Sequence, residues 1–200
     1  MSEVLPMKRV VVVTGTPGVG KSSVSNRLAA RLGGVHVDLG DLVEREGLSC
    51  GLDEKRGTLI ADLDRVSKRV EEFVSRCKGY VVVDGHFAMN VVAAEKVFFA
   101  FVLRRDPDEL RKALRLRGFV ESKVAENVAA EVLDVCLFDA VEVYGREKVC
   151  EVDVSGKTVE AVVDEIACVV EDRRKCWLGV VDWLAKLEFE GRLEEFLSSF

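Results

Sequence analysis

Three observations predict an α/β fold with a mostly parallel sheet flanked by helices. Strand-like and helix-like segments alternate along the whole chain. The strand-like segments are continuous apolar runs such as RVVVVT and YVVVD, the pattern of strands buried on both faces. The first of these runs leads directly into a glycine-rich loop that opens a helix, which is the arrangement of a P-loop.

In order, Arg9 to Thr14 reads as the first strand, and Lys21 to Leu32 as a helix with Val24, Leu28 and Leu32 at spacing four. Gly33-Gly34 stops that helix, and Val35 to Asp38 reads as a short second strand. Leu39 to Thr58 is polar and glycine-bearing, and reads as an insertion around one short helix. A long helix is predicted from Leu59 to Cys77, then strands at Tyr80 to Asp84 and Val97 to Leu103. Asp106-Pro107 opens the next helix, with the acid as cap and the proline in the first turn. It reaches about Arg117, where Gly118 interrupts it, and a further helix is expected over Glu121 to Tyr144. Lys148 to Val154 is the last predicted strand and Val159 to Lys175 the helix after it. A P-loop α/β domain therefore spans residues 1–170, with a helical tail at 171–200. In the tail, Trp177, Val180, Val181, Leu184 and Leu187 recur at helical spacing, and Leu193, Phe196, Leu197 and Phe200 follow Gly191. Such a face either packs on the domain or docks a partner.

The chain has 200 residues, 48% hydrophobic and 32% charged, as in an ordinary globular protein. Its formal net charge of -6 argues against a broad nucleic-acid-binding surface. No apolar run is long enough to span a membrane, and a cytoplasmic location is expected. The cysteines at 50, 77, 136, 150, 168 and 176 form no C-x-x-C pair, which disfavours zinc. The absence of glutamine and the abundance of Glu, Lys and Arg lean thermophilic, so a disulfide stays open.

The sharpest motif is GTPGVGKS, Gly15 to Ser22, which fits G-x-x-x-x-G-K-[ST]. Glycines at 15, 18 and 20 let backbone N–H groups turn inward around phosphate oxygens, and the helix N-terminus adds its dipole. Lys21 reaches the β- and γ-phosphates, and Ser22 offers a hydroxyl to magnesium. The expected ligands are ATP and Mg2+.

Asp84 ends an apolar strand, where P-loop enzymes place a magnesium-holding acid; a cap or turn role is the other reading. His86 follows two residues later and is a candidate catalytic or phosphate-contacting group, or a histidine satisfied in a loop. His36, on a predicted buried strand, reads as structural. Arg104, Arg105, Arg111, Lys112, Arg115 and Arg117 cluster before Gly118. They suggest a hinged lid carrying cations to the phosphates, against a solvated helix face paired to Asp106, Asp108 and Glu109.

Together these residues resemble the family of adenylate kinase isoenzyme 6, also called the coilin-interacting nuclear ATPase, in its archaeal form. The matching pieces are TGTPGVGKS (Thr14 to Ser22), VDLGDL (Val37 to Leu42), LDEKRG near Leu52, DLDRV (Asp62 to Val66), VVVDGH (Val81 to His86), FVLRRDPDEL (Phe101 to Leu110) and RGF (Arg117 to Phe119). They cover roughly Val10 to Ala167 in family order. The resemblance implies a P-loop nucleoside-monophosphate-kinase fold, with a monophosphate-binding region at about 38–61 and a short lid at about 116–126. It implies ATP contacts at Gly18, Gly20, Lys21, Ser22, Ser23 and Arg117, with Lys21, Asp84, His86 and Arg117 catalytic. Gly40, Asp41 and Arg45 would lie at the monophosphate. The implied activities are γ-phosphoryl transfer from ATP to AMP and ATP hydrolysis. The implied setting is maturation of the small ribosomal subunit, with transient binding to its platform protein, the eleventh in the universal naming.

Two positions depart from the family pattern. Glu44, with Arg45 next to it, stands where an Arg is usual, and Ala113 stands where an Arg often precedes the lid. Both are phosphate clamps, so AMP use is affected and ATP binding is not. The rival readings are an assembly ATPase with little kinase activity, and a P-loop kinase acting on a non-nucleotide metabolite.

Overall fold

The computed structural model describes residues 9–53 and 58–197. Part of the LDEKRG piece, and Phe200, lie outside the described residues. A central sheet contains β1 (Arg9–Thr14), β2 (Val35–Asp38), β5 (Tyr80–Asp84), β6 (Val97–Arg104) and β7 (Val149–Asp153) in the order β2-β5-β1-β6-β7. Each neighbouring pair is parallel. The unbroken valines of β1 follow from this central place. Val11 and Val13 enter one core, against α1 (Lys21–Arg31), α5 (Pro107–Leu116), α6 (Glu121–Val132) and α8 (Val159–Val170). Val10 and Val12 enter the other, against α2 (Leu39–Glu46), α3 (Leu63–Arg76), α4 (Ala88–Val91) and α7 (Val135–Tyr144). A strand flanked by two apolar layers has no polar face to present.

Four expectations need correction. The 39–58 region is more than one short helix, because β3 (Ser49–Asp53) and β4 (Thr58–Ala61) pair as an antiparallel hairpin after α2. The helix predicted from Leu59 therefore starts at Leu63, where Asp62 caps it by accepting from Arg65 N–H. The helix predicted over Glu121 to Tyr144 is two helices. Asp134 breaks it with φ 57°, a left-handed turn that an aspartate tolerates, and Arg104 grips its carboxylate. Finally, the helix after β7 ends at Val170 rather than Lys175, and Asp172 is also left-handed. Asp106, by contrast, caps α5 as expected, accepting from Asp108 and Glu109 N–H with Pro107 at the first turn.

The tail packs on the domain. Trp177 C=O accepts from Glu151 N–H beside the β7 edge, and a Cys150–Cys176 disulfide ties it there. The Glu151 carboxylate accepts from Gly179 N–H (2.7 Å) and Val180 N–H (2.8 Å). The tail's α9 (Trp183–Phe189) and α10 (Leu193–Leu197) then lie on α5 and α6, with Lys186 paired to Asp106 and Arg192 to Asp108. Covering a sheet edge in this way removes a row of unpaired backbone groups. Among the described residues no helix is long and apolar enough to cross a membrane.

Candidate active site

The carboxyl ends of β1, β5 and β2 form a row, the place where parallel α/β sheets hold ligands. Register sets Val13 beside Asp84 and Asp84 beside Asp38. The loop leaving β1 then turns tightly into α1. Gly15 has φ 133°, and a Cβ there would stand 2.5 Å from Leu103 C=O. Gly18 has φ 96°, and its Cβ would meet the Leu110 and Leu114 side chains at about 3 Å. The first is excluded by both conformation and space, so the loop has one route. At its end Gly20 is left-handed and caps α1 without any side-chain bond, and α1 has no acid in its first turn. The N–H groups at that end are therefore open to an anion from outside the chain.

Lys21 folds back on the loop, donating from Nζ to Gly15 C=O (2.8 Å) and Thr16 C=O (3.1 Å). Burial pushes its pKa down, with Arg117 adding to the effect, while Cys136, Asp84 and Asp38 oppose it. A half-buried cation whose hydrogen bonds go only to carbonyls suits an arriving polyphosphate. Arg117, which adds to this lowering, is exposed at the C-cap of α5.

Ser22 lies between two carboxylates. Its hydroxyl donates to Asp38 Oδ2 at 2.8 Å and stands 3.4 Å from Asp84 Oδ1. The predicted pair Ser22 and Asp84 is thus brought together, and two residues join it that the sequence reading did not place there. Asp38 also caps α2, accepting from Gly40 N–H (2.9 Å) and Asp41 N–H (3.1 Å). His36 Nε2 sits 2.7 Å from Asp84 Oδ2, so the histidine read as structural is bonded to the strand-end acid. A signal for Asp38 existed, since it ends a short strand with an acid as Asp84 does. His86 is exposed on the turn after β5, edge-on to Phe87 at 5.1 Å. Partial burial lowers its pKa, and the charges of Lys21 and Lys123 lower it further, so the ring is neutral at pH 7.

The sequence-predicted acceptor residues lie on α2. Asp41 and Arg45 pair with each other at 3.2 Å, and both line a cavity of about 500 Å3 that also includes Asn26, His36, Asp38 and Phe73. On the other side of the loop, Gly20, Ser23, Arg105, Val154 and Lys157 line a smaller cavity of about 160 Å3. Of the arginine cluster, Arg105 reaches the loop, donating to Gly18 C=O at 3.2 Å. Arg104 is committed to Glu131 behind the loop, and Arg111 and Arg115 to Glu195 and Glu121 away from it.

The chain is similar to known proteins. The AAA-domain family profile matches residues 11–134. A Thermococcus gammatolerans protein named "Putative adenylate kinase" is 41% identical over 175 residues, covering 87% of this chain and 92% of that one. A protein of the same name from Methanothermobacter thermautotrophicus is 38% identical over 174 residues, covering 87% and 96%. The chain belongs to this archaeal family. Among solved structures, a thymidylate kinase from Candida albicans superposes with a TM-score of 0.54 at 14% identity, covering 82% of this chain and 91% of that one. The fold is that of the P-loop nucleoside-monophosphate kinases.

One contact on the family's phosphate loop escaped the sequence reading altogether. Thr16 Oγ1 donates to Glu131 Oε2 at 2.7 Å, across 115 positions of chain. The other oxygen of Glu131 accepts from Arg104 Nε (2.8 Å), Arg105 N–H (3.1 Å) and Trp183 Nε1 (3.1 Å). No motif marks Glu131. It lies on a helix whose apolar periodicity is unremarkable, and only the fold carries it to the loop.

Proposed function

We propose that this protein is an adenylate-kinase-type phosphotransferase, taking ATP with magnesium at Gly15 to Ser23 and passing the γ-phosphoryl group to AMP. The observation that carries the reading is the placement of Ser22 between Asp38 and Asp84, one residue from Lys21, at an uncapped helix N-terminus. The donor set is hydroxyl and carboxylate oxygen, which fits magnesium. When bound, the ion would neutralise phosphate charge, held by Ser22 and Asp84. The rest falls to the chain. Lys21 leaves its loop carbonyls for the β- and γ-phosphates, and Arg117 brings a second cation from the lid. The loop's N–H groups fix the phosphates in line with the acceptor. His86, neutral at pH 7, stands near Lys21 and accepts or relays a proton at the phosphoryl acceptor. The smaller cavity beside Gly20 and Ser23 would seat the adenine base, and the larger one by Asp41 and Arg45 the monophosphate.

A second reading has its own support. The two clamp positions are Glu44 and Ala113. Of the neighbouring arginines, Arg45 is held by Asp41, and Arg115 makes a two-bonded pair with Glu121 at 2.9 and 2.8 Å. Poor AMP clamping favours a slow ATPase, and the resemblance to ribosome-assembly ATPases supplies a setting, the small-subunit platform.

Incubation with magnesium-ATP, with and without AMP, while following ADP and phosphate, separates them. ADP formed in step with AMP consumption is the result expected of the kinase. Phosphate release indifferent to AMP would overturn it in favour of the ATPase.

A further inference from the structure

The residue that makes this site unusual is His36. A site that meets magnesium only with nucleotide phosphates needs oxygen donors, because magnesium is a hard ion. Here an imidazole joins them. Strand register sets His36 beside Val82 and Asp38 beside Asp84, two residues along on both strands, so all three side chains leave the same sheet face. That is the face of α1, which brings Ser22. The ligand atoms of His36, Asp38 and Asp84 all lie within 4.8 Å of one another. His36 Nε2 is 2.7 Å from Asp84 Oδ2, and Ser22 Oγ is 2.8 Å from Asp38 Oδ2. Donors bound to one ion at about 2.0–2.2 Å stand on the order of 3 Å apart, which is near the spacing of the His36–Asp84, Ser22–Asp38 and Ser22–Asp84 pairs.

Charge and access agree with spacing. Asp38 and Asp84 contribute two negative charges, while Lys21 is turned to the carbonyls of Gly15 and Thr16 rather than to either acid. Asp84 is almost fully buried, but Ser22 is exposed, and His36 and Asp38 open into the cavity of about 500 Å3. An ion and its waters have a path in.

We propose that His36, Asp38 and Asp84, with the Ser22 hydroxyl, form a mixed nitrogen–oxygen site that binds a late first-row divalent cation without nucleotide. His36 is the residue that sets this preference over magnesium. A ring nitrogen adds affinity along the Irving–Williams order and adds little for magnesium. The inference deepens the reading of Ser22 and Asp84 given above, but its first test needs no turnover.

The test is a calorimetric titration of the full-length, nucleotide-free protein with Co2+ and with Mg2+. It is followed by visible absorption, and by NMR for a paramagnetically shifted imidazole N–H. The expected result is one Co2+ site, at least tenfold tighter than any Mg2+ site, with a single shifted imidazole resonance. His36→Asn removes that resonance and weakens Co2+ at least tenfold while leaving Mg2+ binding in place. Its melting temperature and ATP binding are checked first, and His36→Gln repeats the test if the Asn variant fails to fold. If His36 only holds the Asp84 carboxylate in position, both ions weaken by the same factor, and that outcome overturns the proposal. Undiminished Co2+ binding in both variants overturns it too. Kinase assays then stand apart. A loss of kinase activity with the Co2+ site intact sinks the proposed function and not the metal site.

Discussion

Glu131 and Asp84 are both 2% exposed carboxylates at the phosphate loop, yet their surroundings differ. Glu131 receives four donors, from Thr16, Arg104, Arg105 and Trp183. Asp84 has the ring of His36 at 2.7 Å and a serine hydroxyl at 3.4 Å, which is long for a hydrogen bond between oxygens. A buried carboxylate saturated by protein donors is structural, because nothing further can approach it. One with fewer donors, next to residues that line a cavity, retains capacity for a ligand. The first holds the loop and the tail to one body. The second lies behind His36 and Asp38, which line the cavity.

The strongest way to break the saturated side is Arg104→Met. Arg104 is 1% exposed and bonds Glu131, Glu151 and Asp134 at once. Removing it leaves buried acids facing each other, and the expected cost is about 3–5 kcal/mol of unfolding free energy, read from urea melts. On the open side, Lys21→Met should lower phosphoryl-transfer turnover roughly 100- to 1,000-fold. Without nucleotide that variant should melt no lower than the parent, since burial disfavours the Lys21 charge in the nucleotide-free fold. A marked fall in its melting temperature would show Lys21 to be a structural cation instead.

A smaller effect sharpens the contrast. Trp183→Phe keeps the ring and removes one of the four donors to Glu131. We expect a loss of about 1.5 kcal/mol in urea, with turnover changed less than twofold. The smallest effect concerns pH. Burial, with Lys21 and Lys123, holds the His86 pKa below its ordinary 6.5, so the neutral form persists above that value and charging occurs only at lower pH. If His86 takes a proton in the reaction, kcat/KM should be flat between about pH 6.5 and 8 and fall below. An acid limb that survives in His86→Asn belongs to another group.

The two sides also differ in how far they could be read in advance. The loop glycines, Lys21, Ser22 and Asp84 follow from motif and strand pattern, because a P-loop fixes spacing within eight residues and an acid at a buried strand end stands out. For His36 the strand pattern shows burial but not which neighbour the side chain meets, and that neighbour is Asp84. The β3–β4 hairpin was missed because its strands are short and glycine-bearing, and the break at Asp134 because helical periodicity runs through it.

The amino-acid order by itself determined the alternation of strands and helices, the parallel central sheet and the phosphate loop, since these depend on local conformation and short spacings. The tertiary structure alone decided what surrounds that loop. It brought His36 and Asp38 to Asp84, Glu131 to Thr16 across 115 residues, and Cys176 to Cys150. Those contacts depend on strand order, register and the path of the tail, and none of these is encoded within a window of neighbouring residues.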